Sequence, residues 1–203
     1  MTGDYLAAVA APLRGPRRLR EDMLAELADG FASAVADHTA RGLAPERAAE
    51  RAAAEFGSPA VVAAAFQREL EAAQARRTAW TLVIALPAMT ILWDLLGGRG
   101  DPGTAVTVFA RLTDAASAAA FTAAALVLTG RLDRRAAAVC GSLGFAAVGV
   151  ALACSAVIAL IAEPSDVPAA LPLLTVASLI GTVWVCASAL RALRVAAARA
   201  EAG

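Results

Sequence analysis

The feature that most constrains this chain is where its charges stop. Residues 1–77 hold ten of the eighteen Arg and eleven of the eighteen acidic residues. From Thr78 onward come four long stretches with almost no charge. A helix needs about 20 apolar residues to cross a hydrocarbon core of ~30 Å, and a charge held at that depth is costly. The chain therefore divides into a soluble part and a lipid part. Composition agrees: 59% of residues are hydrophobic and the mean hydropathy is +0.63, whereas soluble domains are about half apolar.

Four membrane spans are predicted, at Ala79–Leu96, Leu112–Thr129, Ala136–Ala162 and Ala169–Leu190. Trp80 and Trp93 near the ends of the first fit the aromatic belts of a bilayer interface. Pro87 lies mid-span, where proline kinks a helix, and Pro172 lies in the first turn of the fourth span, where it costs little. Arg placement sets the orientation. With residues 1–77 in the cytoplasm, sixteen Arg fall inside and two, Arg99 and Arg111, outside. The turn from Arg131 to Arg135 and the tail 191–203 are then cytoplasmic, as are both termini. Residues 1–15 lack a basic start and a long apolar core, so no cleaved signal peptide is expected.

The soluble part reads as four helices. Tyr5, Leu6, Val9 and Leu13 have helical spacing, and Gly15-Pro16 ends that segment. The second helix opens at Pro16 and runs to about Ala40, with Leu19, Met23, Leu27, Phe31 and Val35 recurring every fourth residue. Gly42 is placed to terminate it in a left-handed conformation. Pro45-Glu46 opens a third helix, which closes at Phe56-Gly57. Ser58-Pro59 caps and opens a fourth, with Val62, Phe66 and Leu70 on one face. That helix is expected to continue through Arg76-Arg77 into the first span. So small a core is marginal alone, which favours docking to a partner or self-association as a homo-oligomer. The expected fold class is all-α: a small N-terminal cytoplasmic helical domain followed by a four-helix transmembrane bundle.

The punctuation of residues 4–75 carries a resemblance. Tyr5-Leu6, Leu13-Arg14-Gly15, the run from Arg20 through Glu26-Leu27, Gly42-Leu43-Ala44-Pro45-Glu46-Arg47-Ala48, Glu55-Phe56-Gly57-Ser58-Pro59 and Phe66-Gln67 are similar to the permease prefix domain 1 family. They also resemble the related HAAS domain, a helical signalling domain associated with PadR-type regulators. One departure is Ala44, where family members often carry Ser or Thr; its loss as an N-cap costs about 1 kcal/mol. The resemblance implies a cytoplasmic regulatory or assembly module of a bacterial membrane protein, and it carries no catalytic residues.

Constellations that would carry chemistry are few. Asp94, Arg111 and Asp114 all fall near the outer membrane face, with Arg111 and Asp114 three apart on one side of a helix. They form either a polar site at the outer mouth or an interfacial ion pair contributing ~0–1 kcal/mol, and the second is favoured. Cys140, Cys154 and Cys186 lie inside spans without metal-ligand spacing, so they read as small packing residues. His38, the only histidine, sits at the end of the apolar stripe of the second helix and reads as a partly buried helix-end residue. Ala115/Ala119/Ala123, Ala116/Ala120/Ala124, Ala137/Gly141 and Gly149/Ala153 repeat at every fourth position and read as close packing, with no one face preferred. Ser142, Ser155, Thr175, Ser178 and Thr182 are expected to bond between helices or to their own carbonyls. No phosphate loop, nucleophile elbow or zinc motif is present, no cofactor is expected, and zero net charge gives no support to nucleic-acid binding.

The leading expectation is a non-enzymatic regulatory, signalling or accessory protein of the bacterial cell membrane. Its residues 1–77 would bind a protein partner, such as a PadR-type transcriptional regulator. The alternative is a membrane subunit of an ABC-type export complex, with an ABC transporter subunit as the partner.

Overall fold

In the computed structural model, residues 2–96, 103–131, 136–161 and 170–201 are described. They form seven helices: α1 (Thr2–Ala10), α2 (Arg17–Ala40), α3 (Pro45–Phe56), α4 (Pro59–Leu96), α5 (Gly103–Leu128), α6 (Ala136–Ile161) and α7 (Leu171–Glu201). The all-α expectation holds: a helical N-terminal unit precedes a bundle of four long apolar helices. Arg99, Gly100, Leu132 to Arg135 and Glu163 to Pro168, which the sequence reading placed between spans, lie outside the described residues. The chain divides into two compact units, one of residues 1–74 with the chain from Arg194 on, the other Ala75–Leu193.

Local chemistry sets the ends of the N-terminal helices. Pro16 is the N-cap of α2 rather than its first residue, with ψ at 120°; the helix begins at Arg17. At the other end Gly42 adopts φ +94°. Its N–H bonds the Thr39 carbonyl, and the Leu43 N–H bonds the His38 carbonyl, the pair of bonds that closes a helix on a left-handed glycine. α3 opens on Pro45 with Ala44 at the N-cap and no side-chain cap, as loss of a hydroxyl there requires. At the start of α4 the Ser58 main-chain carbonyl accepts from Val61 and Val62.

The core of this unit joins all four helices. Tyr5, Val9 and Leu13 from α1 and its exit, Leu27 and Phe31 from α2, Ala52 from α3, and Ala63 and Leu70 from α4 are buried together. Tyr5 stacks on Phe31 at 5.1 Å between ring centroids, and Phe31 meets Phe56 at 5.7 Å. Both separations lie in the range where aromatic pairs attract beyond simple burial.

The second unit is built on different packing. α5 begins at Gly103, well ahead of Leu112. Arg111 ended the apolar run in the sequence, but Arg is a good helix former and does not end the helix. α7 likewise continues past Leu190 to Glu201, since Ala and Arg both favour helix. α5 closes on Gly130, whose N–H and that of Arg131 bond the Val127 and Leu126 carbonyls. Four helices are long and apolar enough to cross a membrane, with candidate spans in Pro59–Leu96, Thr107–Leu128, Ala136–Val157 and Pro172–Ala197. Their contacts use small residues. Buried Ala120, Ala123 and Ala124 line α5, and Ala136, Ala137, Cys140, Ala147 and Cys154 line α6. A Cβ on Gly141 would stand 2.9 Å from Leu193 and 3.1 Å from the Ala189 carbonyl, and one on Gly144 would stand 3.3 Å from Leu82. In lipid, where apolar surface gains little by meeting apolar surface, such close approach is what holds helices together.

The outward surface identifies the solvent. Among the described residues the large exposed apolar side chains, Val61 excepted, all lie on α4 from Trp80 onward or on α5, α6 and α7. A water-soluble bundle does not display Leu, Ile, Val and Trp along four helices. The chain has the architecture of a multi-pass membrane protein.

Candidate functional site

The N-terminal unit contains the more built polar arrangements, starting with Tyr5. Its ring lies in the core, and its hydroxyl donates to the Gly57 carbonyl at 2.9 Å. The bond ties α1 to the turn between α3 and α4. Burial of the ring raises the Tyr5 pKa, so the phenol stays protonated and remains a donor. Gly57 leaves that carbonyl free by ending α3 at φ +90°.

Gln67, on α4, secures the α1–α2 link. Its Oε1 accepts the Arg14 N–H at 2.9 Å and its Nε2 donates to the Arg14 carbonyl at 3.1 Å. The Arg14 guanidinium turns back on the Ala11 and Leu13 carbonyls at 3.0 Å each, helping to satisfy the exposed end of α1. Arg20 Nη1 reaches the Leu13 carbonyl at 3.5 Å.

His38 and Glu55 form the third arrangement. His38 is buried, and its Nε2 lies 3.1 Å from Glu55 Oε2. An ionised carboxylate can only accept, so Nε2 carries the hydrogen. Arg51 lies 3.4 Å from the other Glu55 oxygen. The His38 hydrogen bond, with the charges of His38, Arg51 and Arg41, holds the Glu55 carboxyl below its ordinary value. The sequence offered no carboxylate for His38; α3 supplies one seventeen residues away. No local spacing marks that pair, because it depends on how α2 and α3 cross. Gln67 was marked in the sequence only as part of the Phe66-Gln67 resemblance, and nothing in its spacing signalled the bonds it makes to Arg14.

The motif residues are distributed through this unit. Tyr5, Leu27 and Ala48 are buried, Leu6, Arg20 and Phe56 are partly so, and Glu26 is exposed. Gly15, Gly42, Pro45, Gly57 and Pro59 stand at helix boundaries. On α3 the exposed face carries Glu46, Arg47, Glu50 and Arg51, opposite buried Ala48, Ala49 and Ala52.

In the bundle, Arg111 and Asp114 pair at 3.5 Å with side chains 79% and 47% exposed. Asp94 is exposed near the end of α4, and among the described residues it makes no ion pair with Arg111. An exposed pair of this kind contributes little. The polar contacts of greater consequence lie elsewhere. Ser188 donates to Thr78 Oγ1 at 3.1 Å, and Thr78 donates to the Ser188 carbonyl at 3.3 Å, both groups being buried. Trp93 Nε1 donates to Ser178 Oγ at 3.2 Å, and Ser178 turns to Met89 Sδ at 3.4 Å. These bonds join α4 to α7, whereas Ser142 bonds back to the Ala138 carbonyl. Beside Pro87 an open apolar cleft is lined by Leu86, Thr90, Ile91, Ser117, Ala118 and Phe121. Among the described residues no three His, Cys, Asp or Glu side chains come together as a metal site, and all three cysteines are free thiols.

No curated protein matches the chain, and no solved structure matches it. The N-terminal unit does find a counterpart. Residues 4–65, which run from α1 into the first turns of α4, match the HAAS family.

Proposed function

We propose that this protein is a non-enzymatic regulatory protein of the bacterial cell membrane, whose N-terminal helical unit lies in the cytoplasm and binds a protein partner. The observation that carries this reading is the position of the HAAS match. The matched residues 4–65 end within α4, and α4 is one uninterrupted helix that includes a candidate membrane span. The HAAS-matched segment thus runs into a helix that contains a candidate span, which supports this reading. The Arg asymmetry of sixteen against two favours a cytoplasmic location for that domain. The charged outer face of α3 and the small core of the unit suit protein contact better than catalysis.

A PadR-type regulator is the partner class that the HAAS relation suggests, and the resemblance to permease prefix domains adds an ABC transporter subunit as the alternative. Affinity capture of the full-length protein from its native membranes tests the reading. The expected result is a discrete regulator that is lost on deletion of residues 1–77. Recovery of an ATP-binding cassette subunit would favour the export complex instead. Capture of no partner, together with an unaltered phenotype on deletion, would refute both.

A further inference from the structure

The end of α7 is an ordered element of the N-terminal unit. From Arg194 on, the helix belongs to that unit, and Val195 is only 4% exposed. The Val195 carbonyl accepts from Gln67 Nε2 at 3.4 Å. Gln67 is the residue that grips the α1–α2 link through the Arg14 N–H and carbonyl, and it is itself 6% exposed. A glutamine amide has two N–H donors. One is directed to the Arg14 carbonyl and the other to Val195, so the grip on Arg14 and the seat of α7 share one side chain. A buried amide that loses a partner must turn to find another or remain unsatisfied.

We infer that the C-terminal end of α7 is an intramolecular latch: it completes the hydrogen bonds of Gln67 and thereby holds the Arg14 link, and its withdrawal releases that link. Gln67 and Val195 lie beyond the HAAS match, which ends at residue 65, and the latch goes beyond partner binding. It is also continuous in sequence with a candidate span. α7 is a single helix from Leu171 to Glu201 and contains the candidate span Pro172–Ala197.

Amide hydrogen exchange on the full-length protein in lipid nanodiscs tests the latch. Truncation after Leu193, or Val195→Asp in the complete chain, should raise exchange in the Leu13–Arg20 peptide roughly two- to tenfold, the effect of losing about one hydrogen bond. Peptides of α5 and α6 should be unchanged. Ala197→Asp, on the exposed side of the same turn, should have no effect. Coupling is reciprocal, so Gln67→Leu should accelerate exchange in residues 194–199. This second arm decides the matter if truncation loosens the whole chain. Unchanged exchange in the tail of Gln67→Leu, or in Leu13–Arg20 of Val195→Asp, would overturn the inference.

Discussion

Gly15 and Gly42 show why two glycines with positive φ are not equivalent. At Gly15, φ is +154° and an added Cβ would stand 2.8 Å from the Leu70 Cβ. At Gly42, φ is +94° and an added Cβ meets nothing within 4 Å. Gly15→Ala therefore combines backbone strain with a clash against a buried residue, and should destabilise the N-terminal unit by about 2–4 kcal/mol. Gly42→Ala carries the backbone penalty alone, about 1–2 kcal/mol. Chemical unfolding of both variants checks the order. Glu55 gives a second prediction at this scale. Its folded carboxyl is held below the ordinary value of 4.5, first by the His38 hydrogen bond. A lowered carboxylate pKa stabilises the fold above the unfolded value, and that contribution is lost as pH falls through the folded one. As pH falls from about 5 to about 3, through the ordinary value and then the lowered one, the wild type should lose more thermal stability than Glu55→Gln, and melting curves across that range would show it. The Gly and Pro punctuation at residues 15–16, 42–45 and 57–59 was legible in the sequence, because those residues restrict the backbone by themselves. The His38–Glu55 pair, the Gln67 grip and the Thr78–Ser188 bonds were not, because each depends on a tertiary crossing that no local spacing encodes.

At the scale of elements, the bundle depends on how closely its helices approach. α6 presents Gly141 and Gly144 toward Ala189, Leu193 and Val185 of α7, while Gly149 on the same helix has open space. The sequence showed the Ala137/Gly141 and Gly149/Ala153 repeats alike and could not rank them. The structure separates them: Ala137 and Gly141 are buried, and Gly149 and Ala153 are exposed. On α5, likewise, Ala120 and Ala124 turn inward and Ala115 and Ala119 outward. Gly141→Leu should cost about 1–3 kcal/mol through overpacking, whereas Gly149→Leu should be nearly neutral. Thermal denaturation of the full-length protein in detergent would register the difference, and equal effects would show that α6 and α7 pack elsewhere. Helix lengths were legible only in part. α4 has 38 residues and is about 57 Å long at 1.5 Å per residue. Its passage beyond Arg76-Arg77 was expected from the sequence. The early start of α5 and the long end of α7 were not, because charged residues mark the limit of an apolar run and not the limit of a helix.

The whole molecule is a soluble-type core and a lipid-type bundle on one chain, and the two obey opposite surface rules. In the N-terminal unit aromatic and aliphatic side chains turn inward around Phe31 and Leu70; in the bundle most of the buried residues are alanine, with Leu82, Leu174, Val127 and Val185 among them, and many Leu, Ile, Val and Trp side chains face out. That inversion accounts for a composition too apolar for a soluble domain, and it is why a charged part and an apolar part could be told apart from charge alone. The proposed cytoplasmic placement of the HAAS-matched unit rests on the same charges, and the regulatory reading depends on it. Single-cysteine labelling with a membrane-impermeant maleimide tests that placement most directly. Cys140, Cys154 and Cys186 would be replaced by Ala, and one cysteine introduced at Gly100 or at Leu132. Labelling at Gly100 in intact cells, with labelling at Leu132 only after permeabilisation, is the predicted result. Labelling at Leu132 in intact cells, with Gly100 protected, would place the N-terminal unit outside and contradict the account.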